Sequence, residues 1–178
     1  MSLNIEKKFG EFCETDMIEF LNYSECMSLF SAIGEAQGFT VKPTSSKKSE
    51  ILLLLDGGKK IKLSPLNSDW SDDHACEKFI LTALIGKIEN ISLEQLNQLN
   101  CDNPDVKFST KTLLNTPDKY LVLTDYINLS GGVTIMNLIY RLQSMMLNQN
   151  VFTEALCSSS HQAQPIKAQK VLSKISSH

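Results

Sequence analysis

The sequence has little of what usually marks a chemistry. Cys13, Cys26, Cys76, Cys101 and Cys157 are odd in number and scattered, with no C-x-x-C pair. That excludes a disulfide framework and points to reduced thiols in a reducing compartment. The longest aliphatic run, Ile51 to Leu55, is a strand's length, far below the roughly 20 residues of a membrane helix. The first eight residues carry lysines but no apolar core, so they do not read as a secretory signal, and a cytoplasmic location is expected. Seventeen Lys and Arg stand against twenty Asp and Glu, for a net charge of -3. There is thus no overall pull toward nucleic acid or anionic lipid, and neither is expected as a partner. No internal repeat occurs, and neither G-x-G-x-x-G nor G-x-x-x-x-G-K-[ST] is present.

What remains has the makeup of an ordinary globular chain: 178 residues, 42% hydrophobic and 21% charged. That is room for one domain with a proper core and too little for two comfortable ones. We read residues 1–23 as a lead-in of undecided structure and 24–152 as a single domain. Residues 153–178 read as a polar linker followed by a weak basic amphipathic tail. In that tail Ala168, Val171, Leu172 and Ile175 share one side, and Lys167, Lys170 and Lys174 supply the charge.

The clearest stretch is Lys119 to Leu147. Leu121, Leu123, Ile127 and Leu129 alternate with Tyr120, Val122, Thr124 and Tyr126, which is the period of a strand. After Gly131 and Gly132, Ile135, Leu138, Ile139, Leu142, Met145 and Met146 recur on one helix face, with Thr134 as N-cap. This helix is expected to end near 148–150. A first helix is expected over 24–37, with Ser24 as N-cap and Gly38 closing it. Strands follow at 39–42, 51–55 and 59–63, the last two joined by Asp56-Gly57-Gly58, and a fourth at 77–88 pairs with 59–63. Ser92 and Gln95 have the capping-box shape for a short helix that Pro104 ends. Strands at 106–114 and 119–129 flank a type I turn at 115–118. The expected fold class is α+β, an antiparallel sheet with packed helices in the order α-β-β-β-β-α-β-β-α.

Each candidate reaction centre has a simpler structural reading. His74 and Cys76 could offer nitrogen and sulfur to zinc, but a structural zinc wants four ligands and no others face this acidic loop. The same pair lacks settled geometry for thiol catalysis. Ser130-Gly131-Gly132-Val133-Thr134 precedes a helix and could hold an anion on its backbone N–H groups, yet a chain reversal with a capping threonine accounts for it. Gly57-Gly58-Lys59-Lys60 joins two antiparallel strands and is a hairpin turn. Asp125 interrupts an apolar face without a second acid or histidine beside it, so a hydrogen bond to a neighbouring turn or a sheet edge is expected. No metal, no cofactor and no catalytic residue is expected.

The last helix carries a second apolar flank, Met136, Tyr140 and Leu147, wider than one sheet contact needs. Methionine-rich surfaces adapt to partners. With Trp70 in its loop, these residues form the expected protein-binding surface. Asn97 and Asn100, three apart on the short helix, are expected to anchor the adjacent loop or the next strand.

Leu93 to Asn100 (LEQLNQLN), Val106-Lys-Phe-Ser, Tyr120-Leu-Val-Leu and Leu129-Ser-Gly-Gly-Val-Thr together resemble the YbjN-like family, candidate bacterial sensory transduction regulators. Asn97, Asn100 and the turn through Gly131, Gly132 and Thr134 are its most specific points. The resemblance implies a fold like that of type III secretion chaperones, small α+β proteins that bind other proteins and are often dimeric. It finds no counterpart for the lead-in or the tail. The expectation is a non-enzymatic, protein-binding or chaperone-like regulator, acting on a protein client or on itself as a homodimer. The competing class, a small-molecule sensor or a hydrolase, would need a deep pocket with convergent polar groups.

Overall fold

The computed structural model describes residues 8–44, 50–66, 70–89, 91–112 and 117–160. Residues 161–178 of the tail and the first half of the turn expected at 115–118 lie outside the described residues. In chain order the elements begin with three two-residue strands, β1 (Lys8–Phe9), β2 (Phe12–Cys13) and β3 (Met17–Ile18). Helix α1 (Tyr23–Gln37) leads to β4 (Thr40–Pro43), β5 (Ile51–Leu54), a 3-10 turn (Asp56–Gly58), β6 (Lys60–Pro65) and β7 (Lys78–Ile88). Helix α2 (Leu93–Asp102), β8 (Lys107–Thr112), β9 (Lys119–Asn128), β10 (Val133–Thr134) and α3 (Ile135–Ser160) complete the chain. The fold is α+β, and from α1 onward its long elements follow the expected order. The main sheet has the hydrogen-bonded order β4-β5-β6-β7-β9-β8.

The chain forms two compact units, Met1–Thr82 with Asp125–Gln143, and Ala83–Thr124 with Ser144–His178. In the first, the pleat of β5, β6 and β7 turns Ile51, Leu53, Ile61, Leu63, Phe79 and Leu81 inward. Cys26, Leu29, Phe30 and Ile33 of α1 and Ile135, Leu138, Ile139 and Leu142 of α3 are also buried in this unit. Two-residue β3 pairs with β10, setting Thr134 against Met17 and Val133 against Ile18. The lead-in therefore has structure, although its apolar residues are too few to show a period.

In the second unit, Ala83, Ile85, Phe108, Leu121, Leu123, Met145 and Phe152 are buried. Phe108 and Phe152 meet edge to face with centroids 4.6 Å apart. Gln149 Nε2 donates to the Leu84 carbonyl at 3.2 Å and the Thr153 hydroxyl to the Ile85 carbonyl at 3.2 Å. Leu156 passes close to Gly86, where a Cβ would lie 3.2 Å from its methyl.

Two helix boundaries differ from the sequence reading. Asn22, not Ser24, caps α1: its side chain accepts from the Glu25 N–H at 2.9 Å while Glu25 accepts from the Asn22 N–H at 2.9 Å. This is a complete capping box, and asparagine serves as well as serine. Ser24 lies inside the first turn, where its N–H and hydroxyl both donate to Asp72, at 2.9 and 2.6 Å. Helix α3 runs to Ser160, well past the end expected near 148–150. The contacts of Phe152, Thr153 and Leu156 hold those extra turns, and a count of apolar spacing alone does not reveal them.

Candidate functional site

The residues that sequence reading singled out for chemistry are each engaged in holding the fold. Asp125 is 7% exposed, and Arg141 Nη1 donates to both its carboxylate oxygens, at 2.7 and 3.0 Å. The same Nη1 reaches the Tyr126 carbonyl at 3.1 Å. The partner is thus a helix arginine sixteen residues on, not a neighbouring turn. His74 and Cys76 do not converge. His74 is exposed, with Nδ1 at 3.3 Å from the Ser71 hydroxyl, whereas Cys76 is buried and its Sγ donates to the Lys78 carbonyl at 3.0 Å. Asp72, beside them, supports the start of α1 through Ser24, where a carboxylate suits the helix dipole. Burial pushes the Cys26 thiol well above its ordinary pKa, and Cys76 and Glu25 push the same way, which keeps it protonated and unreactive.

The start of α3 is occupied by the chain itself. Gly131 and Gly132 have φ of 87° and 88°, a region open to glycine. The Gly132 N–H returns to the Leu129 carbonyl at 2.8 Å. Ile135 and Met136 donate to the carbonyls of Asp16 and Glu14, at 3.2 and 3.0 Å. Asn137 donates to the Thr134 hydroxyl at 3.3 Å, so Thr134 is the cap. The N–H groups that could have held an anion are turned to the lead-in segment, a pairing invisible in the spacing of the sequence.

Asn100 is an anchor in a strict geometric sense. Its Nδ2 donates to the Phe108 carbonyl at 3.1 Å and its Oδ1 accepts from the Phe108 N–H at 2.6 Å. One amide thus stands in for a strand at the first residues of β8. Asn97 is exposed. Asn103, which sequence reading passed over, donates to the Leu99 carbonyl at 2.9 Å and closes α2. Asn100→Ala should leave both Phe108 groups without that partner and lower stability by about 1–3 kcal/mol. Urea unfolding would check this, and a loss comparable to that of Asn97→Ala would contradict the anchoring role.

Of the expected protein-binding residues, Trp70 is misplaced. It is 4% exposed, its indole N–H donates to the Leu21 carbonyl at 2.9 Å, and its ring meets Tyr23 and Phe79 edge to face at 5.1 and 5.2 Å. It pins a polar loop to the core and offers no surface. Tyr140 and Leu147 are open, at 61% and 64%, with Met136 half-buried. Val151, beyond the expected helix end, is exposed on the same helix. Residues 140, 147 and 151 fall on one row of α3.

No family model matches the sequence, and no curated protein matches it. Among solved structures, the chain is similar to YbjN from E. coli, described as a candidate transcription regulator. The TM-score is 0.52 at 15% identity, over 73% of this chain and 90% of that one. The likeness is one of fold: both have a YbjN-like α+β arrangement.

Proposed function

We propose that the protein is a non-enzymatic, protein-binding regulator that self-associates through the outward flank of α3. The observation that carries this is the exposure of Tyr140 and Leu147, large side chains on one row of the helix whose opposite row, Leu138, Leu142 and Met145, is buried. Exposed apolar residues aligned on one element favour an interface over solvent. The groups with the most reactive chemistry are already committed to the fold: Asp125 to Arg141, Asp72 to Ser24 and Cys76 to Lys78. The E. coli protein of similar fold is described as a regulator, which agrees with a binding role. A chaperone-like action on a client, in a reducing cytoplasm, is the wider form of the same reading.

Sedimentation velocity over a concentration series tests it. Tyr140→Ala with Leu147→Ala should weaken self-association, raising its dissociation constant by about tenfold or more, since aromatic anchors dominate such contacts. Thermal unfolding should stay cooperative. A wild-type chain that sediments as a monomer at every concentration would defeat the proposal.

A further inference from the structure

The first unit carries a second surface with a definite charge. Because β5, β6 and β7 send Ile51, Leu53, Ile61, Leu63, Phe79 and Leu81 inward, the alternate residues point to the opposite side of the sheet, and none of them is buried. The strand register fixes how they line up. Lys42 of β4, Leu52 of β5 and Lys62 of β6 form one row, and Thr40, Leu54 and Lys60 form the next. Ile80 and Lys78 of β7 continue the same side, since they alternate with Phe79 and Leu81. Four lysines thus surround a strip of leucine and isoleucine. Glu50 meets one of them: it lies 3.0 Å from Lys62 Nζ and accepts from the Ser64 hydroxyl at 3.4 Å. In a chain of net charge -3, this concentration of positive charge on one sheet face is local, and it is interleaved with aliphatic side chains.

We propose that this face receives an acidic, leucine-bearing segment of a partner protein. Its carboxylates would meet the lysine rows and its apolar side chains would cover Leu52, Leu54 and Ile80. Complementary charge sets orientation and association rate, and burial of the aliphatic strip supplies affinity. Nucleic acid fits less well. Single strands need aromatic platforms for their bases, and β4 to β7 present aliphatic side chains here instead. The proposal is independent of the α3 flank and involves different residues.

Fluorescence anisotropy with a labelled peptide of glutamate, leucine and alanine tests it on the full chain. The peptide should bind saturably, its glutamine analogue should not, and affinity should fall as salt rises. Lys42→Glu with Lys78→Glu should weaken binding by about tenfold or more, while Lys107→Glu on β8 should leave it unchanged. A lysine-for-glutamate peptide should bind the doubly reversed protein better than the wild type, an outcome that requires the variant to be folded. Tyr140→Ala with Leu147→Ala should not affect peptide binding, and the lysine reversals should not affect sedimentation, so either surface can fail alone. Undiminished binding to the doubly reversed protein would overturn the proposal. So would equal weakening by Lys107→Glu, or displacement of the peptide by single-stranded DNA or phosphatidylserine vesicles at equal concentration.

Discussion

Replacing Arg141 by methionine is expected to destabilise the protein by about 2–3 kcal/mol. Asp125 sits on the inward side of β9 between Leu123 and Ile127, both buried. Arg141 donates to both of its carboxylate oxygens there. Removing one member of a buried pair leaves the other desolvated and unpaired, at about 3–5 kcal/mol in fully buried cases. The Arg141 side chain is 45% exposed, so water can reach the vacated position, and the expected loss falls to or just below the bottom of that range. The control is Asp125→Leu with Arg141→Met. That double variant makes the inward row of β9 apolar from Leu121 to Ile127, and it should recover most of the loss, because buried pairs are often replaceable by packed apolar residues. Urea unfolding of the two single variants and the double gives the coupling. An Arg141→Met loss under about half a kcal/mol would mean that solvent already screens the pair.

How far the fold can be read from the chain depends on the range of the interaction involved. The hairpin at Asp56–Gly58, the capping box at Ser92 and the glycine that ends α1 are local, decided by residues within a few positions of one another. All three are readable from spacing. The Asn22 box is equally local, yet a serine two positions on offers a competing cap, and what separates the two is Asp72, forty-eight residues away. Trp70 fails for the same reason. Its neighbours suggest an exposed loop, but Tyr23 and Phe79 come from α1 and β7, and Leu21 from the segment before α1. The apolar row of α3 is periodic and therefore legible, as is the exposure of Tyr140 and Leu147. Its last turns depend on contacts with β7, so the helix end was not legible. The basic sheet face illustrates the general limit. Lys42, Leu52 and Lys62 are ten residues apart in steps along the chain, and only the strand register puts them in a row.

Gly34→Ala should reverse the usual rule for helices. In a solvent-exposed helix interior this change stabilises by about 1 kcal/mol, because glycine loses the most backbone entropy. At Gly34, three residues before α1 ends, the chain folds back through Gly38, at φ 80°. The N–H groups of Gly38 and Phe39 both donate to the Gly34 carbonyl, at 2.8 and 3.0 Å. That reversal brings the Phe39 carbonyl over the helix, where a Cβ on residue 34 would lie 2.5 Å from its oxygen and 3.0 Å from two ring carbons. The ring can turn away; the carbonyl can move only if the cap moves with it. The overpacking cost of about 1–3 kcal/mol should therefore outweigh the propensity gain, leaving the variant less stable than the parent. Phe39→Leu separates the two contacts. If the backbone contact dominates, combining Phe39→Leu with Gly34→Ala recovers little of the Gly34→Ala loss, measured against Phe39→Leu alone. A full recovery would assign the strain to the ring, and a stabilised Gly34→Ala would mean that the α1 cap relaxes without cost.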